Sequence, residues 1–151
     1  MTTINLNPAK KIYFSSDNHL GSPNREISLK REKIFISWLD KIKSDAQAIF
    51  FLGDLFDFWF EYKTVVPKGF TRLFGKLAEL SDSGIDLFFF VGNHDCWMKN
   101  YLEDEIGFKV FTNSCEFKID DNNLYNFYNG LNTDIQFEDN KINNLFKNFK
   151  Y

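Results

Sequence analysis

Three short runs of apolar residues, each followed by a polar loop, constrain the fold of this chain more than any other feature. The runs are Lys11–Ser16, Ala48–Leu52 and Leu87–Val91. None of them alternates between apolar and polar residues, which is typical of strands buried on both faces of a parallel sheet. Each run leads into a glycine-containing loop with an aspartate or an asparagine. The sequence therefore predicts three strands that end in chemically similar loops.

Two segments with helical periodicity separate these runs. In 27–43, Ile34, Trp38 and Ile42 recur at helical spacing beside Phe35 and Leu39. In 69–83 the apolar stripe, which ends before Gly84, is Phe70, Leu73, Phe74, Leu77 and Leu80. An order of strand, helix, strand, helix, strand predicts a parallel sheet with right-handed crossovers, and the loops after such strands emerge at one edge.

The rest of the chain has a weaker pattern. Short strands are predicted at Phe108–Phe111, Cys115–Ile119 and Leu124–Tyr128, and a helix at Asn140–Phe149. The length of 151 residues suits one domain over 1–151. Cys96 and Cys115 form no CxxC pair, so we expect two free thiols in a reducing cytosol, with a disulfide as the alternative.

Charge and hydropathy narrow the range of partners and locations. The net charge of −3 gives no basic field, so we expect no nucleic-acid partner. Residues 1–10 contain no apolar signal region, and the longest apolar runs are too short to span a bilayer. We therefore expect a protein that is cytoplasmic or peripheral to a membrane.

The first two loops contain side chains that bind hard or borderline cations. Asp17 and His19 stand two residues apart after the first strand, and an aspartate beside an imidazole suits Mn²⁺, Zn²⁺ or iron better than Ca²⁺. Asp54 directly follows Gly53 after the second strand, where a carboxylate can bridge two cations. Taken singly, each loop is more simply read as an aspartate that caps a turn.

The third loop makes metal binding a better interpretation of all three loops than turn capping. Asn93 offers a neutral carbonyl oxygen to a metal ion, His94 can face a substrate, and Asp95 can fix the orientation of that histidine. All three loops follow neighbouring strands and so meet at one edge of the sheet. Chance convergence of these residue types in this order is improbable. The sequence therefore predicts a metal centre with catalytic chemistry.

The three motifs D-x-H, GD-x-x-D and GNHD, in this order, resemble those of the calcineurin-like metallophosphoesterases. Their longer forms, SDNHLG, GDLFDFWFEY and GNHDCWM, are similar to the UDP-2,3-diacylglucosamine hydrolases of lipid A biosynthesis. The resemblance covers Lys11 to about Val110. It implies an α/β fold, a β-sandwich flanked by helices, of which this chain holds the N-terminal part with an incomplete second sheet.

The resemblance also implies two divalent metal ions, Mn²⁺ first, with Zn²⁺ or iron as alternatives. Asp17 and His19 would bind one ion, Asp54 would bridge both, and Asn93 would bind the second. His94 would then stabilise the charge that develops on phosphorus. Asp95 would support His94.

The implied reaction is attack on the α-phosphorus of a lipid-linked nucleotide, which releases UMP and 2,3-diacylglucosamine 1-phosphate. Such a substrate implies a protein that lies peripherally on the inner face of the inner membrane. Because the three motifs are common across the superfamily, a phosphoesterase for nucleotide phosphodiesters is an alternative. A remnant without catalysis is another.

The tail departs from the family pattern. The family has three further histidines, one in a GH motif and two in a later GHxH, whereas this chain contains only His19 and His94. Phe127 occupies the position that resembles the GH ligand, within a degenerate tail at 120–151, and the sequence ends at Tyr151. We therefore expect a truncated or frameshifted chain whose second ion keeps only Asp54 and Asn93.

An apolar stretch, 58–67, follows the second loop. Core packing and a seat for acyl chains are equally good interpretations of it. Lys63 and Lys68 could contact phosphate or lipid headgroups, although surface lysines usually make no specific contact.

Overall fold

Seven strands and three helices make up the part of the chain that the structure, a computed structural model, describes: residues 2–119 and 123–127. The strands, in chain order, are β1 (Thr2–Ile4), β2 (Lys11–Ser15), β3 (Ala46–Leu52), β4 (Asp86–Phe90), β5 (Lys109–Phe111), β6 (Cys115–Ile119) and β7 (Asn123–Phe127). The helices are α1 (Arg25–Ile42), α2 (Thr71–Asp82) and α3 (Tyr101–Ile106).

The strands form two sheets. β2, β3, β4 and β5 lie in that order in an all-parallel sheet, which confirms the prediction drawn from the three apolar runs. The second sheet has the described order β1-β6-β7, with β1 parallel and β7 antiparallel to β6. Helices cover one face of the parallel sheet and the second sheet covers the other, so the expected α/β sandwich is confirmed.

Burial on both faces explains why the strands of the parallel sheet lack alternation. In β3, Ile49 and Phe51 pack toward the helices, whereas Phe50 and Leu52 lie between the two sheets. Phe117 of β6 completes the layer between the sheets, with its ring centroid 5.1 Å from that of Phe50 in an edge-to-face contact. Such pairs add specificity to apolar burial. The core therefore has two layers that share one sheet.

The predicted stripe of α1 is only partly correct. Leu39 and Ile42 are buried, and Phe35 and Trp38 pack partly against the core. Ile34, however, is 70% exposed. Because an α-helix turns by about 100° per residue, Ile34 lies about 100° from Phe35 and outside the face that meets the sheet.

The stripe of α2 is confirmed, and its inward residues are Leu73, Phe74, Leu77 and Leu80. The helix ends at Asp82, just before Gly84, as the end of the predicted stripe indicates. Gly84 has φ of +82°, its N–H donates to the carbonyl of Ser81 at 2.9 Å, and the N–H of Ile85 donates to that of Leu80 at 3.2 Å. A glycine tolerates this left-handed position without strain, so it ends the helix cleanly.

Two elements were not predicted because both are too short to show a period. β1 has three residues, of which only Ile4 is buried, and α3 has six, of which Leu102 and Ile106 are buried one turn apart. β7 matches the strand predicted at Leu124–Tyr128, while the helix predicted at 140–149 lies outside the described residues.

The remaining expectations concern the thiols and the membrane. Cys96 and Cys115 are free, as expected. No helix in the described ranges is long and apolar enough to cross a membrane.

Glu79 gives the packing of α1 on α2 a defined pH dependence. Ion pairs with Lys43 and Lys76 lower the pKa of the Glu79 carboxyl from 4.5 to about 2. Because the folded state holds the ionised form more strongly, this stabilisation is complete above pH 4.5 and is lost as the pH falls toward 2. We expect Glu79→Gln to lower the urea midpoint at pH 6 and to lower it much less at pH 2.5. Exposed Glu105→Gln, the control, should have no effect at either pH, and an equal loss at both would contradict the assignment.

Candidate metal centre

Three of the predicted ligands have a strained backbone. Asp17, His19 and Asp54 have φ of 54°, 43° and 53°, in the left-handed region that residues other than glycine rarely adopt. Such a conformation costs about 1–3 kcal/mol per residue and concentrates at functional sites. Hydrogen bonds between the first two loops hold it, since Asp17 N–H donates to the carbonyl of Gly53 at 3.2 Å and His19 N–H donates to that of Asp54 at 2.9 Å.

His19, Asp54 and His94 form one group of potential metal ligands. A ligand atom from each lies within 4.8 Å of the other two, and the imidazole rings meet edge to face with centroids 4.6 Å apart. The three residues follow β2, β3 and β4, so the expected meeting of the loops at one edge is confirmed. Two imidazole nitrogens and one carboxylate oxygen fit Mn²⁺, Zn²⁺ or iron.

Asp17 and Asn93 lie beside this group but outside it. The Asp17 carboxylate is 70% exposed, with Oδ1 4.0 Å from His19 Nε2. Asn93 is exposed at the start of the third loop. Their roles as ligands stay predictions.

His94 has a second role open to it. Its Nδ1 lies 2.8 Å from the backbone carbonyl oxygen of Asp57. Since a carbonyl oxygen only accepts, Nδ1 carries the hydrogen and Nε2 is left for an ion or a substrate. This hydrogen bond, followed by the charges of Asp54 and Asp57, raises the pKa of His94. The sequence placed His94 toward the substrate, whereas the structure also brings it among the ligands.

Asp57 also lies at the metal centre, although no role as a ligand or a catalytic residue was predicted for it from its position in the sequence. Its carboxylate Oδ1 lies 3.6 Å from His19 Nδ1 and 3.9 Å from His94 Nδ1, so it faces both imidazoles. The second aspartate of GD-x-x-D was the available signal for it.

Asp95 does not orient the His94 ring as expected. Its carboxylate is completely buried and accepts hydrogen bonds from Gly92 N–H at 2.6 Å and from Leu55 N–H at 3.1 Å. Burial, and then repulsion from Asp54, raises the pKa of Asp95 to about 6. The Asp95 carboxylate points into the protein, away from the surface of the loop. It therefore joins the backbone of the third loop to that of the second loop instead of contacting the His94 ring.

Gly92 allows the second and third loops to touch. A Cβ at this position would lie 2.2 Å from Asp54 Oδ1 and 2.5 Å from Asp54 N. Asp54 Oδ1 also accepts a hydrogen bond from His94 N–H at 2.9 Å. The orientation of the Asp54 carboxylate therefore depends on a residue without a side chain.

Arg31 of α1 holds the backbone of the first loop through hydrogen bonds. Its guanidinium donates to the carbonyls of Asn18 at 3.4 Å, His19 at 2.8 Å and Ser22. Nothing in the sequence marked this residue, because it stands 12 positions beyond the histidine that it supports.

The apolar stretch after the second loop divides between core and surface. Trp59 is fully buried, and its Nε1–H donates to Glu61 at 2.8 Å, so core packing is correct for this residue. The exposed apolar side chains in and near this stretch are Phe58, Phe60, Tyr62, Val65 and Trp97, and we call this set, four rings and a valine, the aromatic patch. Its first member, Phe58, directly follows Asp57.

The fold and the site together define a class of protein. Loops from parallel strands of a layered α/β domain gather imidazole and carboxylate ligands, and the calcineurin-like phosphoesterase family model matches residues 10–150. The chain belongs to this family of metal-dependent hydrolases.

Among individual proteins, the chain is similar to UDP-2,3-diacylglucosamine hydrolases. It is 53% identical over 100 residues to that of Porphyromonas gingivalis, 30% over 100 residues to that of Nitrosococcus oceani and 36% over 86 residues to that of Neisseria meningitidis. These matches cover 66%, 66% and 57% of this chain, and 38%, 38% and 34% of the relatives. The chain thus spans well under half of the length of these relatives.

Gly92→Ala should displace the Asp54 carboxylate and weaken metal binding. We expect a loss in Mn²⁺ affinity of at least about tenfold, as is typical when the groups that orient a ligand are disturbed. Isothermal titration with Mn²⁺ measures it. Gly75→Ala is the matched control, because no atom lies within 4 Å of a Cβ at this helical position. It should leave affinity unchanged and stabilise α2 by up to about 1 kcal/mol. Equal affinities in both variants would refute the close-approach argument.

Proposed function

We propose that the protein hydrolyses the pyrophosphate bond of UDP-2,3-diacylglucosamine and so acts in lipid A biosynthesis. The observation that carries this proposal is the group formed by His19, Asp54 and His94, in a chain 53% identical to a hydrolase of that name. A water oxygen would bond to the α-phosphorus while the bond from that phosphorus to the bridging oxygen breaks. The products are UMP and 2,3-diacylglucosamine 1-phosphate, with the proton balance made up by solvent.

The residues around the metal centre suit this chemistry. The Asp57 carbonyl fixes the His94 ring, and the raised pKa of His94 favours the form that donates a hydrogen bond from Nε2. A donor held in place before reaction stabilises negative charge on a phosphoryl oxygen without reorganisation. Divalent ions, Mn²⁺ by preference, held by His19 and Asp54 would lower the pKa of a bound water and neutralise phosphate oxygens, while His94 Nε2 keeps its proton as the donor. Asp17 and Asn93 are proposed as further ligands.

The aromatic patch supports a lipid-linked substrate. Its large side chains are about half exposed, with Phe58 at 58% and Trp97 at 51%, and their ring centroids lie 5.9 Å apart. Exposed apolar surface of this kind is typical of a site for an apolar ligand or a membrane. We propose that the patch seats acyl chains and that the protein works on the cytoplasmic face of the inner membrane.

Removal of the Asp54 carboxylate tests the metal centre. We expect Asp54→Asn to reduce Mn²⁺ affinity by at least about 100-fold, because it removes an anionic ligand from the middle of the group. Titration calorimetry on purified protein measures this. The control is Asp82→Asn, which removes an equal charge from the exposed end of α2. Unchanged affinity in Asp54→Asn would show that the group is not the ion site.

A comparison of substrates tests the proposed reaction. With Mn²⁺, we expect UMP release from UDP-2,3-diacylglucosamine at a kcat/KM at least about tenfold above that for a nucleotide phosphodiester, thymidine 5′-(p-nitrophenyl phosphate), because binding of the acyl chains contributes to transition-state stabilisation. Faster turnover of nucleotide diesters would favour the other phosphoesterase class. Binding of Mn²⁺ without turnover of either substrate would favour the inactive remnant.

A further inference from the structure

A cleft between the N-terminal ends of α1 and α2 carries positive charge that the metal centre does not use. It has a volume of about 440 Å³ and is lined by Gly21, Arg25, Ser28, Leu29 and Glu32 of the first loop and α1, and by residues 68–72 before and within α2. None of His19, Asp54 and His94 lines it. We propose that this cleft is a second anion site, which binds a phosphate-bearing ligand.

Three cations line the cleft, namely Arg25, Lys68 and Arg72. Within the described part of the chain, none of them has an ion pair or a side-chain hydrogen bond, whereas other lysines of these two helices, such as Lys30 and Lys76, are paired. Unpaired arginines and lysines that converge on a concave surface supply the donors that phosphate recognition requires.

The first turn of α2 adds backbone donors. Phe70, the residue before the helix, provides no side-chain cap. Among the described residues, the N–H groups of Thr71 and Arg72 have no hydrogen-bond partner, and the next N–H, that of Leu73, donates to Glu32 at 3.3 Å. These free N–H groups lie at the positive end of a 12-residue helix, beside the three cations.

Among the described residues, Glu32 is the only carboxylate in the lining, and it already accepts a hydrogen bond. It is buried, and one of its oxygens accepts from Leu73 N–H. The lining therefore has a net formal charge of two positive, in a chain whose net charge is −3. A local field opposite in sign to that of the whole molecule attracts an anion to this place.

Gly21 connects the cleft to the first metal loop. It lines the cleft, stands two residues after His19, and donates its N–H to Ser28 Oγ at 2.7 Å. Ser28 is buried in the same lining. An anion in the cleft would thus contact the support of the metal loop without occupying the centre.

Titration with inorganic pyrophosphate tests the proposal, with EDTA present so that no metal ion contributes. We expect binding that weakens with salt. Arg25→Gln combined with Arg72→Gln should reduce the affinity at least about tenfold, which corresponds to two charge-assisted hydrogen bonds. The matched control is Lys33→Gln with Lys41→Gln, which removes two exposed charges from α1 outside the cleft and should stay within about twofold. If the double arginine variant does not fold, Lys68→Gln gives the same test from a loop, with an expected loss of about threefold.

Vesicles distinguish the source of the phosphate group. Binding to phosphatidylcholine vesicles that contain phosphatidic acid, lost in the double arginine variant, would assign the site to a lipid headgroup. Pyrophosphate binding without vesicle binding would assign it to a soluble phosphate. No pyrophosphate binding by the unmodified chain, or equal binding by a folded double arginine variant, would overturn the proposal.

Discussion

The contact between the second and third loops is the constraint on which the metal centre depends. Two carboxylates hold it: Asp95 accepts from Gly92 and Leu55 N–H, and Asp54 accepts from His94 N–H. Each aspartate thus takes one donor from the residue next to the other in the sequence. Because interiors are close-packed, the absence of a Cβ at Gly92 is a condition for this contact, and the positions of two ligands follow from it.

The strained backbone at Asp17, His19 and Asp54 is understandable in the same terms. Hydrogen bonds between the first two loops continue the pairing of β2 with β3 past the ends of both strands, and Arg31 holds the carbonyl of His19 from the helix side. A left-handed residue persists only when its surroundings determine it more strongly than its own preference does. The strained residues lower the stability of the fold at the positions where side chains must converge, and functional sites commonly have such a cost in stability.

The sequence predicted the parallel sheet because a strand buried on both faces, such as β3, is a continuous apolar run that is visible in the sequence. The positions of the loops at one edge of the sheet follow from the order of the strands. Prediction failed where the cause is not local. Ile34 follows the helical period, but only the position of the sheet decides that it is exposed. Arg31 acts 12 residues away, and Asp95 faces inward for reasons of loop packing that no spacing reveals. Asp57 had a visible signal in its motif, yet its contact with both histidines required the folded loops.

The three potential ligands all come from one sheet, which indicates how much of a metal site this part of the fold can form. His19, Asp54 and His94 come from loops after three adjacent strands of one sheet. The hydrogen bonds of Asp95 that join the second and third loops also use residues of these loops. Among the described residues, the second sheet contributes apolar packing, through residues such as Phe117, to the face of the parallel sheet away from the helices. The three potential ligands therefore depend on loops of the parallel sheet, although the match covers 38% of the Porphyromonas gingivalis hydrolase. We therefore expect binding of an ion at this group to be separable from completion of a two-ion centre, because the group draws on these loops only.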